Sequence, residues 1–213
     1  MEEHRDWLME RWAEKAVASL KKHDFDAVFV QTAAEARELI LAMVEPYDSF
    51  GFGGSDTVRA LGLVEALREK GKAVYDHWQA GLSKEADLEI RLQQGRSDCF
   101  LCSANAVSLT GEVVNVDGIG NRTAAMSFGP RKVIVAAGVN KLTPDLPSAL
   151  RRVKEVAAPM RARSLGMKTP CAETGICSDC SAPQRICRIT TILERRPLLT
   201  EMTIILIGRS MGF

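Results

Sequence analysis

Long apolar runs, blocks of one charge and repeated segments are all missing from this chain of 213 residues. Its longest apolar runs, such as Val133–Val139 and Ile204–Ile207, fall far short of the roughly 20 residues that a membrane-crossing helix needs. Neither sign of charge prevails: 28 basic and 27 acidic residues leave a net charge of +1. With no arginine-rich block and no aromatic–basic interleaving, nothing steers the protein toward nucleic acid. The opening residues, from Met1 to Asp6, are charged rather than apolar, so no secretion signal is expected and the protein reads as soluble and cytoplasmic. The Lys-Ser/Thr of a P-loop and the G-x-G-x-x-G of a dinucleotide fold are absent as well. Histidine is scarce, with three residues, none of them near the cysteines clustered toward the C-terminus.

What is present is a hydrophobic share of 46%, enough to give a chain of this length a sizeable core. Residues 4–22 form a helix with Leu8, Trp12, Ala16 and Leu20 on one stripe. That stripe fits the protein's own core or, as the alternative, a second copy of the chain in a homodimer. Residues 1–23 are therefore expected as an N-terminal amphipathic helix and residues 24–213 as one α/β domain. Strands are expected at Ala27–Val30, Ser49–Phe52, Ala73–Asp76, Cys99–Cys102 and Val133–Ala137. Between them lie helices beginning at the Thr32/Glu35 capping box, after Ser55 (running to about Lys70) and after Ser83. A hairpin spanning Val107–Val116 turns near Thr110-Gly111, and two further strands, Ile189–Leu193 and Met202–Gly208, close the chain. Strands alternating with helices imply a mostly parallel sheet with helices on both faces.

Ligands in such sheets sit at the carboxyl ends of the strands, and several polar turns fall there. The first is Phe52-Gly53-Gly54-Ser55-Asp56-Thr57. Bare glycine backbone would let a ligand approach, Ser55 caps the next helix, and the free N–H groups of its first turn favour a phosphate or carboxylate. An ordinary strand-to-helix turn is the alternative. The second is Asp117-Gly118-Ile119-Gly120-Asn121-Arg122, where Arg122 either clamps an anion bidentately or pairs with Asp117 to hold the loop shut. The third is Lys141, just past the strand ending at Ala137, either solvated or facing a ligand. Asn105 and His77 lie near strand ends too, as lesser contributors.

Four of the six cysteines, Cys171, Cys177, Cys180 and Cys187, fall in a loop of residues 169–188 with the spacing C-x5-C-x2-C-x6-C. Such clustering suggests metal or redox chemistry before disulfides, and an all-sulfur site suits iron–sulfur or zinc. Unligated thiols are the alternative. Cys99 and Cys102, three apart on a strand, point to opposite faces and read as buried small hydrophobes.

Taken together, Phe50-Gly51-Phe52-Gly53-Gly54-Ser55, Ser103-Ala104-Asn105-Ala106, Val116–Arg122, Gly138-Val139-Asn140-Lys141 and the Cys171–Cys187 loop resemble the LUD domain, the group named for lactate utilisation, in its subset with four C-terminal cysteines. The resemblance runs from about Asp24 to Phe213. It implies a fold similar to ribose-5-phosphate isomerase, glucosamine-6-phosphate deaminase and the coenzyme A transferases, in which the glycine turn, here Gly53, Gly54, Ser55 and Thr57, binds phosphate or an acyl-carrying ligand. It also implies a link to oxidation of L-lactate to pyruvate beside iron–sulfur partner proteins, with a [4Fe–4S] cluster on the four cysteines and zinc as the alternative. The sugar-phosphate enzymes place acid–base carboxylates near the ligand; Glu112 and Asp117 are the candidates here, although no full catalytic motif of those enzymes can be traced onto this chain. The expected ligand set is Gly53, Gly54, Ser55, Thr57, Asn105, Asp117, Gly118, Asn121, Arg122 and Lys141, around a small carboxylate or phosphate. Three functions are open: a redox-associated subunit carrying an electron-transfer cluster, a stand-alone enzyme acting on a sugar phosphate or acyl thioester with a structural metal, or a non-catalytic sensor or scaffold.

Overall fold

The structure, a computed structural model, describes residues 2–213. In chain order the elements are α1 (Glu2–Lys22), β1 (Asp26–Val30), α2 (Ala33–Met43), β2 (Ser49–Phe52), α3 (Asp56–Ala60), α4 (Leu63–Glu69), β3 (Ala73–Tyr75), α5 (Lys84–Gln94) and β4 (Cys99–Cys102). There follow β5 (Ala106–Ser108), β6 (Val113–Asp117), α6 (Asn121–Ser127), β7 (Lys132–Gly138), β8 (Leu142–Thr143), α7 (Leu146–Arg152), α8 (Ala158–Ser164), α9 (Pro170–Thr174), β9 (Ile189–Leu193) and β10 (Glu201–Ile207).

Six strands form one sheet in the order β1-β10-β7-β4-β2-β3, and every pairing in it is parallel. Parallel strands need both faces covered, and the residues alternate accordingly. Val133, Val135 and Ala137 of β7, with Met202, Ile204 and Leu206 of β10, pack on one face against Ala13, Ala16 and Leu20 of α1 and Met126 of α6. Ile134, Ala136, Ile205 and Ile207 pack on the other against Ile40 of α2, Val58 of α3 and Leu67 of α4. The two strand cysteines divide as their spacing requires: Cys99 belongs to the second face and Cys102 to the first. Helix α1 lies on the protein's own core. Its buried stripe is Ala13, Ala16 and Leu20, and Leu8 is exposed.

A second, four-stranded sheet, β8-β5-β6-β9, grows from the expected hairpin. Strands β5 and β6 pair antiparallel, β9 adds antiparallel to β6, and β8 adds parallel to β5. The final two strands of the chain therefore part company, β9 joining the small sheet and β10 the centre of the large one.

Two local expectations are corrected. The helix after Ser55 does not run unbroken to Lys70. It stops at Ala60 and restarts at Leu63 because Gly62 takes a left-handed conformation, φ +61°, and Arg37 Nη1 donates to the carbonyls of Leu61 and Gly62 at 2.5 and 2.6 Å. The capping box of α2 is also displaced by one residue. Thr32 Oγ1 accepts from Glu35 N at 3.1 Å as expected, but Glu35 reaches back to Gln31 N rather than to Thr32. Helices α7 and α8 are joined through Val153–Ala157 by π-helical backbone. Pro159 sits in the first turn of α8; it has no N–H to give the preceding turn, and the widened turn before it carries the chain on without a break. None of the described helices is long and apolar enough to cross a membrane.

Candidate functional site

The strands of a parallel sheet all end at one edge, so the turns that follow β2, β3, β4 and β7 meet there. They enclose a cavity of about 370 Å³ lined by Gly54, Ser55, Asp56 and Thr57 after β2, His77 and Trp78 after β3, Ser103, Ala104 and Asn105 after β4, and Lys141 after β7. The small sheet supplies Val116, Asp117 and Gly118. Asn121 and Arg122 come from α6, Arg91 from α5, Ala158 and Arg161 from α8, and Gly212 and Phe213 from the chain's end. Of the ten expected ligand-binding residues, nine line this one cavity; Gly53 lies immediately behind it.

Lys141 is the most unusual of them. Its side chain is buried, 3% exposed, and Nζ donates to Thr57 Oγ1 at 3.0 Å and to Ser103 Oγ at 2.7 Å. Thr57 Oγ1 in turn donates to the Met211 carbonyl. Among the described residues no carboxylate lies within salt-bridge reach of Nζ. Burial, with the Arg152 and Arg122 guanidiniums nearby, brings the Lys141 pKa down from 10.5 to about 7 against the pull of Asp56 and Cys102. A buried amine with neutral hydrogen-bond partners disfavours its charged form, and an incoming anion would restore it.

Arg122 is already committed. Nε and Nη2 both donate to Asp117 Oδ1, at 2.9 and 2.6 Å, and Nη2 also meets Asn105 Oδ1 and the Val116 carbonyl. Nη1 reaches the Ser103 carbonyl at 3.3 Å, while the second Asp117 oxygen accepts from Thr123 N at 2.9 Å. Of the two roles open to Arg122, the structure realises the loop-holding pair with Asp117. That pairing occupies the carboxylate as well, so Asp117 is a positioning group for α6 and the small sheet rather than a free base.

Glu112 stands apart from the cavity. It closes the β5–β6 turn, accepting from Ser108 and from Thr110 Oγ1. Burial pushes its pKa up, but these hydroxyls outweigh that and hold it below the ordinary glutamate value. The close-approach role expected of the glycines is corrected as well, because their bare faces are already filled by the protein. A Cβ on Gly54 would lie 3.1 Å from Trp78 Nε1, and one on Gly53 would lie 3.1 Å from Cys102 Cβ. Two guanidiniums lie over the Trp78 ring, Arg59 at 4.1 Å and Arg161 at 4.6 Å from its centroid, each a cation–π contact. Ser55 caps α3 through Val58 N, but α3 is a helix of five residues, too short for a strong dipole. The charge of the wall comes from side chains: four basic groups, Arg91, Arg122, Lys141 and Arg161, stand against two acidic ones, Asp56 and Asp117, and Arg91 is paired with Asp87 at 2.8 Å.

His77 is neutral. Gln94 is fully buried, its oxygen accepting from Asn121 Nδ2 and its nitrogen donating to the Tyr75 carbonyl and to His77 Nδ1 at 2.8 Å. That run of hydrogen bonds assigns the imidazole proton to Nε2. Burial and the Arg91 charge lower the His77 pKa from 6.5 to about 4.

The cysteine loop lies beside the cavity, and Cys187 is one of its lining residues. All four cysteines are half-buried free thiols, yet among the described residues no three His, Cys, Asp or Glu side chains are placed to share a metal ion. The loop is ordered by arginine instead. Arg185 donates to the carbonyls of Cys180 and Cys187 and to Asp179, and Arg188 donates to those of Pro183 and Arg185. In this arrangement the four thiols are not gathered about one point.

Sequence reasoning missed Trp78, Arg161, Asp56 and the Gly212-Phe213 end. Trp78 and Asp56 follow strands β3 and β2 and were open to the rule that picked the other turns. Arg161 arrives from 105 residues away to pair with Asp56 at 3.1 Å, and no local pattern signals that.

A family model described as the LUD domain matches residues 13–207. Among solved structures the chain is similar to a DUF162 family protein from Deinococcus radiodurans, with 12% sequence identity, a TM-score of 0.48, and coverage of 95% of this chain and 98% of that one. The comparison with curated proteins gives no match.

Proposed function

We propose, from the premise that this chain belongs to the LUD domain family, which is associated with lactate utilisation, that its cavity takes a small carboxylate- or phosphate-bearing metabolite in support of the oxidation of L-lactate or a related hydroxyacid. One observation carries the reading: Lys141, a buried amine with two hydroxyl partners and no carboxylate, sits in the wall of a cavity whose other charged groups are mainly basic. A cation buried without a counter-ion is costly, and a bound anion removes that cost. Thr57 and Ser103 place hydroxyls beside it, and Ser55, His77, Asn105, Asp117, Gly118, Asn121 and Arg122 are among the other lining residues.

Thermal unfolding of the protein with L-lactate, pyruvate, ribose 5-phosphate or inorganic phosphate tests this. A ligand at about 100 times its Kd adds roughly 2.7 kcal/mol of stability, a readily measured rise in Tm, and Lys141→Met should abolish the rise. If none of the four raises the Tm of the wild-type protein, the reading is wrong.

The spacing of Cys171, Cys177, Cys180 and Cys187 favours a second reading, in which these residues bind a [4Fe–4S] cluster, or zinc, and the protein works beside iron–sulfur partners. No step above passes through such a group. Iron, sulfide and zinc analysis of anaerobically prepared protein decides it: one site per chain supports the reading, and none of these elements ends it.

A further inference from the structure

We propose that Lys141 is a nucleophile that forms an imine with a small acid bearing an aldehyde or ketone, an inference that rests on the anion-binding reading of the same cavity and narrows it to carbonyl acids. The geometry of Nζ is what singles it out. A neutral amine has two N–H groups and one lone pair, and here both N–H groups are taken up by Thr57 Oγ1 and Ser103 Oγ. The lone pair is the one valence left. The hydroxyls themselves are turned away from Nζ, Thr57 donating to the Met211 carbonyl and Ser103 toward the Ala104 carbonyl, so neither competes for it. Gly212 passes close beside: a Cβ there would lie 2.6 Å from Thr57 Oγ1 and 3.4 Å from Nζ, so a side chain at this position would crowd the amine.

The neighbours that face Lys141 keep it in the reactive form. Arg152, on α7, and Arg122, on α6, oppose a further positive charge, whereas Asp56 at the start of α3 and the Cys102 thiol on β4 favour one; burial is the largest influence and brings the free base into the neutral pH range. Desolvated lysines beside other cations are the ones that act as Schiff-base nucleophiles. A carbonyl acid also satisfies the rest of the wall, since its carboxylate meets the basic side chains while its carbonyl carbon meets Nζ.

The step balances without an oxidant. The Nζ lone pair attacks the carbonyl carbon, a proton moves from nitrogen to the former carbonyl oxygen, and a carbinolamine results. Loss of that oxygen as water, which carries off the remaining N–H proton, leaves the C=N bond to Lys141. Water reverses both stages and releases the carbonyl acid.

Borohydride trapping of the full-length protein at pH 7.5 tests the proposal, with pyruvate as probe and L-lactate, which lacks the carbonyl, as control. Mass spectrometry of the digest should find the reduced pyruvate adduct on Lys141, formed roughly a hundredfold faster than on exposed lysines, whose amines are nearly all protonated at that pH. L-lactate should give none, and neither should Lys141→Met or Lys141→Arg, the latter retaining the charge in case the former fails to fold. If pyruvate raises the wild-type Tm but Lys141 stays unlabelled, the imine is overturned and the anion site stands. If pyruvate neither binds nor labels, the imine falls, and the anion site falls with it when L-lactate, ribose 5-phosphate and inorganic phosphate also leave the Tm unchanged. Labelling spread equally over exposed lysines also overturns the imine.

Discussion

At the scale of single residues, two buried bases divide the pH axis between them. Free His77 titrates near 6.5 and the folded one near 4, chiefly through burial. Between those values the unfolded chain binds more protons than the folded one, so stability is lost as the pH falls through that window. Each tenfold difference in proton affinity between the two states is worth about 1.4 kcal/mol, which makes the loss on the order of 3 kcal/mol. Lys141 behaves alike at higher pH. Its folded pKa near 7 lies below the free value of 10.5, so stability rises as the pH climbs from 7 toward 10.5. Urea titrations across pH should show both rises, with His77→Gln flattening the acid one and Lys141→Met the alkaline one. Binding of lactate or phosphate should move oppositely to the second rise, weakening from pH 7 to 9 as Lys141 gives up its proton. Equal affinity at both pH values would place the bound anion away from Lys141.

At the scale of elements, the break between α3 and α4 is set by backbone conformation and is open to test. Gly62 holds φ +61°, and a Cβ there would also come within 2.8 Å of Arg37 Nη1. A left-handed conformation costs most residues about 1–2 kcal/mol, so Gly62→Ala should destabilise the protein by at least that much in chemical denaturation, and Gly62→Asn by less. The same break keeps α3 short, five residues from Asp56 to Ala60. Gly54 makes a complementary point. Its missing Cβ makes room for the Trp78 indole, so Gly54→Val should shift Trp78 off the two arginines and change its fluorescence, while the six-stranded sheet keeps its far-ultraviolet signal.

At the scale of the whole molecule, the cavity exists because two sheets meet, and Arg122 joins them. From α6 it reaches Asp117 at the end of β6, the Asn105 side chain and the Ser103 carbonyl after β4. Asp117 and Arg122 have side chains only 10% and 12% exposed. Removing one partner of a buried pair costs about 3–5 kcal/mol because the other charge is left uncompensated. Arg122→Ala should therefore lower global stability by that order, measured by urea unfolding. Arg122→Lys should rescue little, since an ammonium cannot span the same four acceptors. The main core is a separate matter: Phe100 lies at the centre of the large sheet, fully buried, and Phe100→Ala should cost about 3–5 kcal/mol while leaving the Arg122 network in place.

Much of this architecture is written locally. Hydrophobic alternation, the caps at Thr32, Ser55 and Ser83, and the glycine turns placed the large-sheet strands and most helices, because each depends on neighbours a few residues away. The sidedness of a parallel sheet then brought the turns after β2, β4 and β7 to one edge, which is why Gly54, Ser55, Thr57, Asn105 and Lys141 share one cavity; the small sheet and α6 bring Asp117, Gly118, Asn121 and Arg122 to it. The tertiary structure alone decided how those residues are spent. It gave Arg122 to Asp117, filled the bare face of Gly54 with Trp78, set Glu112 in a distant turn, and left the four clustered cysteines apart while arginines ordered their loop. It also buried Lys141 between Thr57 and Ser103, residues 84 and 38 positions away. A side chain's partner and its solvent access are properties of such long-range contacts, and they determine whether a lysine near a strand end is a solvated charge or a free amine in a cavity.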